Sequence, residues 1–156
     1  MVKYELLSNH DLVELSAKMN IQLIGVPSKD RLKTLPLTDG SFIINLDDFG
    51  NAGTHWVALY IEGKYAVYFD PFGQVAPLAV HKFCRTKQLI TSDFIIQNLN
   101  TYCCGYYCLG FLHFMTKRNI SNIRVRFNKF IKPFDLEDTT NNDNILQSYF
   151  LNNVKI

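Results

Sequence analysis

Nowhere in these 156 residues do eighteen uninterrupted apolar residues occur, and no long apolar stretch follows the basic residue near Met1. Neither a membrane-spanning helix nor a secretory signal is therefore expected. Repeats and low-complexity segments are missing as well. Cysteine is sparse: of four, three crowd into Cys103, Cys104 and Cys108, a grouping that suits reduced thiols better than a disulfide framework. Cys84, Cys103, Cys104 and Cys108 do not fall into two pairs at zinc-ligand spacing, and no Cys or second His follows His10 at such spacing, so no metal cofactor is expected. Acidic residues are absent between Phe94 and Phe134, where Lys117, Arg118, Arg124, Arg126, Lys129 and Lys132 supply six positive charges. The acids gather afterwards in Asp135, Glu137, Asp138 and Asp143. With a net charge of only +2, this basic stretch reads first as a solvated face balanced by an acidic tail, and second as a surface that follows DNA phosphates.

What is present is material for one core. The sequence is 47% hydrophobic, 13% aromatic and 19% charged, which excludes a disordered chain and suits a single domain over 1–156 burying roughly two-thirds of its unfolded surface.

Ser8 or Asn9 can cap a first helix with Leu12, Val13, Leu15 and Met19 on its apolar side and Asn20 at its end. Ile21 to Val26 suits a short edge strand and Pro27 to Pro36 a charged connection. From Gly40 the pattern turns to β: Ser41 to Leu46 is a strand, and Asp47 to Gly53 is an Asp/Asn/Gly loop delivering the chain to His55. His55 to Ile61 and Tyr65 to Asp70 form a hairpin about Glu62-Gly63-Lys64. His55 opens one strand and Asp70 closes the other, so both lie at the open end of the ladder, imidazole beside carboxylate. Pro71-Phe72-Gly73 is a turn, and Ala76 to Arg85 a helix with Leu78, Val80, Phe83 and Cys84 inward and His81 outward. Phe94 to Ile96 reads as a strand, Ser121 to Ile131 as a basic amphipathic helix, and Asn144 to Val154 as a closing helix.

The remaining stretch, Gln97 to Met115, begins polar and becomes from about Cys104 an apolar run of helical length. A thiol at a helix N-terminus is where the macrodipole and unpaired N–H groups favour the thiolate. Gly105 leaves that thiol uncrowded for a substrate backbone. Cys104 is favoured over Cys103, which faces differently from the first helical turn; Cys108 lies one turn along the same face, and His113 falls among core residues. With Cys104 as nucleophile, His55 as base, Asp70 as the group fixing the imidazole and Gln97 as an oxyanion donor, the chain holds the parts that acyl transfer needs. The expected architecture is α+β, a small mixed or antiparallel sheet packed on the helix that starts at Cys104.

The order Gly53-Thr54-His55-Trp56, then Phe69-Asp70-Pro71-Phe72-Gly73, then Gln97 seven residues before Cys104-Gly105, resembles the adenovirus-type cysteine proteases, relatives of the SUMO-deconjugating proteases. Ile43-Ile44-Asn45 and Phe111-Leu112-His113 extend the likeness, which spans roughly Ser8 to Lys117. The resemblance implies the adenovirus protease-like fold, a triad of Cys104, His55 and Asp70, and Gln97 at the oxyanion. It further implies a monomeric viral thiol protease, from an adenovirus-like virus, virophage or related transposon, acting in the virion and infected cell, in the nucleus or a cytoplasmic viral factory. Its substrates would be capsid and other virion precursor proteins, cut during maturation after small residues such as Gly. Three departures bear on this. Asp70 stands where the adenovirus enzymes carry Glu, and the segment after Lys117 has no counterpart. Cys84 lies near, but does not match, the residue that tethers their activating viral peptide, so the sequence requires no cofactor and leaves open an activating viral peptide, DNA through Lys117 to Lys132, or both. A deconjugase of a ubiquitin-like modifier would use the same site, with little extra chain to hold a folded modifier. An effector-type acyltransferase would pass the acyl group to an amine, and a non-catalytic nucleic-acid-binding protein would leave four site residues without a role.

Overall fold

A computed structural model describes residues 6–47, 55–98 and 100–154. Helix α1 (Asn9–Lys18) starts at Ser8, whose Oγ accepts from the Asp11 N–H at 3.2 Å while the Ser8 N–H donates to Asp11 Oδ2 at 2.9 Å, satisfying two otherwise orphaned donors. Asn20, at φ 56°, ends it. Val13, expected inward, is 52% exposed; Leu12 and Met19 carry the buried face.

Five strands follow: β1 (Leu23–Gly25), β2 (Gly40–Asn45), β3 (Trp56–Glu62), β4 (Tyr65–Phe69) and β5 (Gln88–Thr91), in spatial order β1-β2-β3-β4-β5. The three central strands pair antiparallel, whereas both edge strands run parallel to their neighbours, so the sheet is mixed. β2 is buried along its whole length and β3 up to Glu62, because both faces of the sheet are covered. One face carries α1, α3 (Cys104–Thr116), α4 (Ile123–Ile131) and α5 (Asn142–Asn153), around a core that includes Ile43, Trp56, Phe69, Tyr107, Phe111 and Leu146. The other carries a 3-10 turn, Lys29–Thr34, and α2 (Leu78–Phe83), packed on Phe42, Val57 and Tyr68 through Leu32, Val80 and Cys84. Leu78, expected in that core, is 67% exposed because the helix begins there, with Pro77 as its cap.

The expected strand at Phe94 to Ile96 does not form. The slot beside β4 is filled by Gln88–Thr91, whose half-polar edge pattern gave little signal, and the Ile96 N–H goes to a turn carbonyl instead of a ladder. The expected loop at Asp47 to Gly53 lies, from 48 on, outside the described residues.

The basic face is thinner than its sequence. Arg126, on α4, is 1% exposed and donates to both Glu62 carboxylate oxygens at 2.9 and 3.1 Å, and to the Ile120 and Met115 carbonyls at 2.7 and 3.0 Å. Arg118 also meets Glu62, at 3.1 Å. Burial alone would raise the Glu62 carboxyl; hydrogen bonds from Arg126 and Tyr60 and the two guanidinium charges outweigh it and hold it below the usual range. Glu62 therefore stabilises the fold above its unfolded pKa, and that contribution is lost as pH falls. Arg126→Leu is expected to cost about 3–5 kcal/mol in urea unfolding, the scale for breaking a buried pair, toward the lower end because Glu62 keeps Arg118.

Candidate active site

The hairpin brings His55 and Asp70 to the same end of the ladder. Ala58 pairs with Phe69, so by register Asp70 comes level with Val57 and His55 with Phe72, and the imidazole reaches back two positions to place Nε2 2.7 Å from Asp70 Oδ1. Asp70 is fully buried; the same Oδ1 accepts the Phe72 N–H at 2.8 Å, and the Asp70 N–H donates to Ser92 Oγ at 3.3 Å. With Nε2 committed to the carboxylate, the ring's other nitrogen is fixed as the free one. Nδ1 is buried and makes no hydrogen bond among the described residues. The imidazole also stacks on Phe72, centroids 4.6 Å apart at 19°. Burial by itself would lower this histidine; the hydrogen bond to Asp70, the polar interaction with the Cys104 sulfur and the charges of both outweigh it and push the imidazole up to about 9.

Cys104 is the first residue of α3 and only 2% exposed, which places its sulfur at the helix N-terminus as the sequence implied. Gly105 behaves differently from expectation. A Cβ there would sit 3.1 Å from Leu7 Cδ1 and 3.3 Å from Leu12 Cδ2, so this glycine lets α1 and its leading segment pack against α3 rather than admitting a substrate. Trp56, 1% exposed, holds that segment by donating its indole N–H to the Leu7 carbonyl at 2.9 Å.

Cys103 faces elsewhere. Its S–H donates to Asp143 Oδ1 at 3.3 Å, its sulfur lies 3.1 Å from Thr101 Oγ1, and burial first, then the Asp143 carboxylate, pushes the thiol up to about 12 against the lowering contact with Thr101. Cys108 is wholly buried with its S–H on the Trp56 carbonyl at 3.4 Å, and burial raises its thiol well above the ordinary value. Burial likewise lifts Cys84, on the far face, to about 11. Iodoacetamide at pH 7 is expected to modify Cys104 first, the other three thiols being held protonated, and peptide mass mapping of the singly labelled protein checks it.

Gln97 lies on the loop before α3. Its side chain is fully buried, with Nε2 donating to the Thr101 carbonyl at 2.9 Å. That bond uses one of the two amide hydrogens and leaves the second. The Ile96 and Gln97 N–H groups both donate to the Pro71 carbonyl, at 2.9 and 3.0 Å, so the loop is sewn to the turn that follows Asp70. Gly73 permits this approach: its φ is +66°, and a Cβ would lie 2.5 Å from the Phe94 carbonyl carbon.

Among the described residues, no three His, Cys, Asp or Glu side chains gather as metal ligands would. His113 is a core residue, its Nδ1 paired with the Tyr149 hydroxyl at 2.7 Å.

A central helix bearing a cysteine at its start is packed on a mixed sheet whose hairpin end presents His and Asp, an α+β fold. No family model and no curated protein matches the sequence. Solved structures do match: the ASFV pS273R protease aligns with 99% of this chain and 70% of its own at a TM-score of 0.57 and 16% identity. The central domain of the uncharacterized Lpg1148 protein of Legionella pneumophila aligns over 95% of both chains at 0.54 and 14%. At such identities the likeness is one of fold.

Proposed function

We propose that this chain is a cysteine endopeptidase that uses Cys104, His55, Asp70 and Gln97. The observation that carries the reading is the 2.7 Å His55–Asp70 pair, which leaves Nδ1 free at the Cys104 end of α3. The Cys104 sulfur attacks the scissile carbonyl, and the developing oxyanion is met by the second Gln97 amide hydrogen and the Cys104 N–H. His55, which takes the Cys104 S–H proton at Nδ1 and is held charged by Asp70, gives that proton to the leaving amine as the C–N bond breaks. The neutral ring then takes a proton from water, whose attack on the thioester releases the acid and restores the thiol. Because Cys104 is almost covered, the bond to be cut must arrive on slim backbone, which favours a small residue such as Gly before it. Capsid and virion precursors of the encoding virus are the proposed substrates. Four exposed cations, Lys117, Arg124, Lys129 and Lys132, remain for contact with DNA after Arg118 and Arg126 turn to Glu62.

The test is release of aminomethylcoumarin from a Gly-Gly peptide amide, blocked by iodoacetamide. Gln97→Ala should lower kcat by about 10²–10³, the cost of one oxyanion donor. Transfer of the acyl group to an added amine in preference to water would favour an acyltransferase, and shortening of a ubiquitin-like fusion but not of a capsid precursor would favour a deconjugase.

A further inference from the structure

The segment after Lys117, for which the sequence offered no counterpart, closes the site from behind. α5 begins at Asn142, two residues before the sequence suggested, and Asn142 is fully buried with its side chain saturated. Its Nδ2 donates to the Ile96 carbonyl and to the Asp135 carbonyl, both at 2.8 Å, and its Oδ1 accepts the Asp135 N–H at 2.9 Å. Ile96 is the residue before Gln97. The next residue, Asp143, accepts through Oδ1 from the Tyr107 hydroxyl at 2.7 Å and from the Cys103 S–H at 3.3 Å, two groups that flank Cys104 on the first turn of α3. Cys103 in turn lies against Thr101, whose carbonyl receives the Gln97 amide. The start of α5 thus grips both the backbone beside Gln97 and the chain of contacts that holds its side chain.

We propose that Asn142 and Asp143 are positioning residues that set the Gln97 amide and the first turn of α3 for oxyanion binding; this rests on the protease reading above. An oxyanion donor acts only if it is fixed where charge develops, and a loop bonded on one side to Pro71 alone would be free to swing. A carboxylate at 142 keeps the shape but cannot donate to the Ile96 carbonyl, whereas an amide at 143 keeps the acceptor that Cys103 and Tyr107 use.

Asn142→Asp is therefore expected to lower kcat about 10- to 100-fold with KM within about twofold, short of the 10²–10³ for losing the donor outright. Alkylation of Cys104 by iodoacetamide, a displacement that forms no oxyanion, should stay within about twofold. Asp143→Asn should retain nearly full turnover and Asp143→Ala should not. Independently of turnover, amide exchange at Ile96 and Gln97, followed by NMR, should speed at least tenfold in Asn142→Asp, since the Pro71 bonds lose their backing. Unchanged kcat, or a fall in alkylation in step with kcat, would overturn the positioning role, as would unaltered exchange. A wild-type chain that cleaves nothing while Asn142→Asp still frees those two amides would defeat the protease reading and support the grip of α5 on the loop.

Discussion

Cys104→Ser is expected to reduce peptide hydrolysis by a factor on the order of 10⁶, the scale on which removing the nucleophile of a coupled catalytic unit acts. A hydroxyl in the same place fits the space but is a far weaker acid and a poorer nucleophile than a thiol, so the attack on the carbonyl is lost. The fold should not notice. Serine keeps nearly the same side-chain size at the first residue of α3, so thermal unfolding should remain cooperative with a midpoint within a few degrees. Loss of one equivalent of iodoacetamide labelling in the same sample ties the two results together. Equal loss of activity in Cys103→Ser with Cys104→Ser active would reverse the assignment, and the S–H donation from Cys103 to Asp143 argues against that outcome.

Asp70→Asn should cost about 10⁴ in kcat/KM, the loss seen when the acidic member of a triad becomes its amide. An asparagine oxygen can still accept at the Oδ1 position, where the His55 ring and the Phe72 N–H converge, so the change removes charge more than shape. The sign of the pH effect follows. In the native chain the imidazole stays protonated up to about 9, so activity should have an alkaline limb near that pH. Without the carboxylate its hydrogen bond and charge no longer oppose burial, and the limb should move to lower pH. Because His55 is raised on folding, its contribution to stability is fully present below about pH 6.5 and is lost as pH rises through 9. The variant should show neither that limb nor that dependence. A kcat/KM profile whose alkaline limb stays near 9 in Asp70→Asn would remove Asp70 from the role.

Much of this site was legible because its parts sit at ends of elements defined by local pattern. Gly63 marks a turn, the runs on either side are apolar and rich in β-branched and aromatic residues, and the ladder then brings His55 and Asp70 to one end. A long apolar run fixes where α3 starts, and so where Cys104 stands. Signals failed where a residue's surroundings come from distant chain. Arg126 looked like one more cation on an amphipathic helix, yet it points inward because Glu62, sixty-four positions earlier, waits at the end of β3. Phe94 to Ile96 has strand composition but finds its neighbouring edge occupied by β5. Gly105 suited substrate access from one side of the chain only, and Leu7 turned out to fill that space.

The amino-acid order alone determined which side chains have the chemistry, the hairpin that pairs imidazole with carboxylate and the helix that presents the thiol, because each depends on periodicity within a few residues. Only the folded chain decided that Cys103 turns toward Asp143, that two cations are spent on Glu62, and that α5 reaches round to hold the Gln97 loop. Those contacts join segments tens of residues apart, and hydrogen bonds between such segments leave no periodic trace in either one.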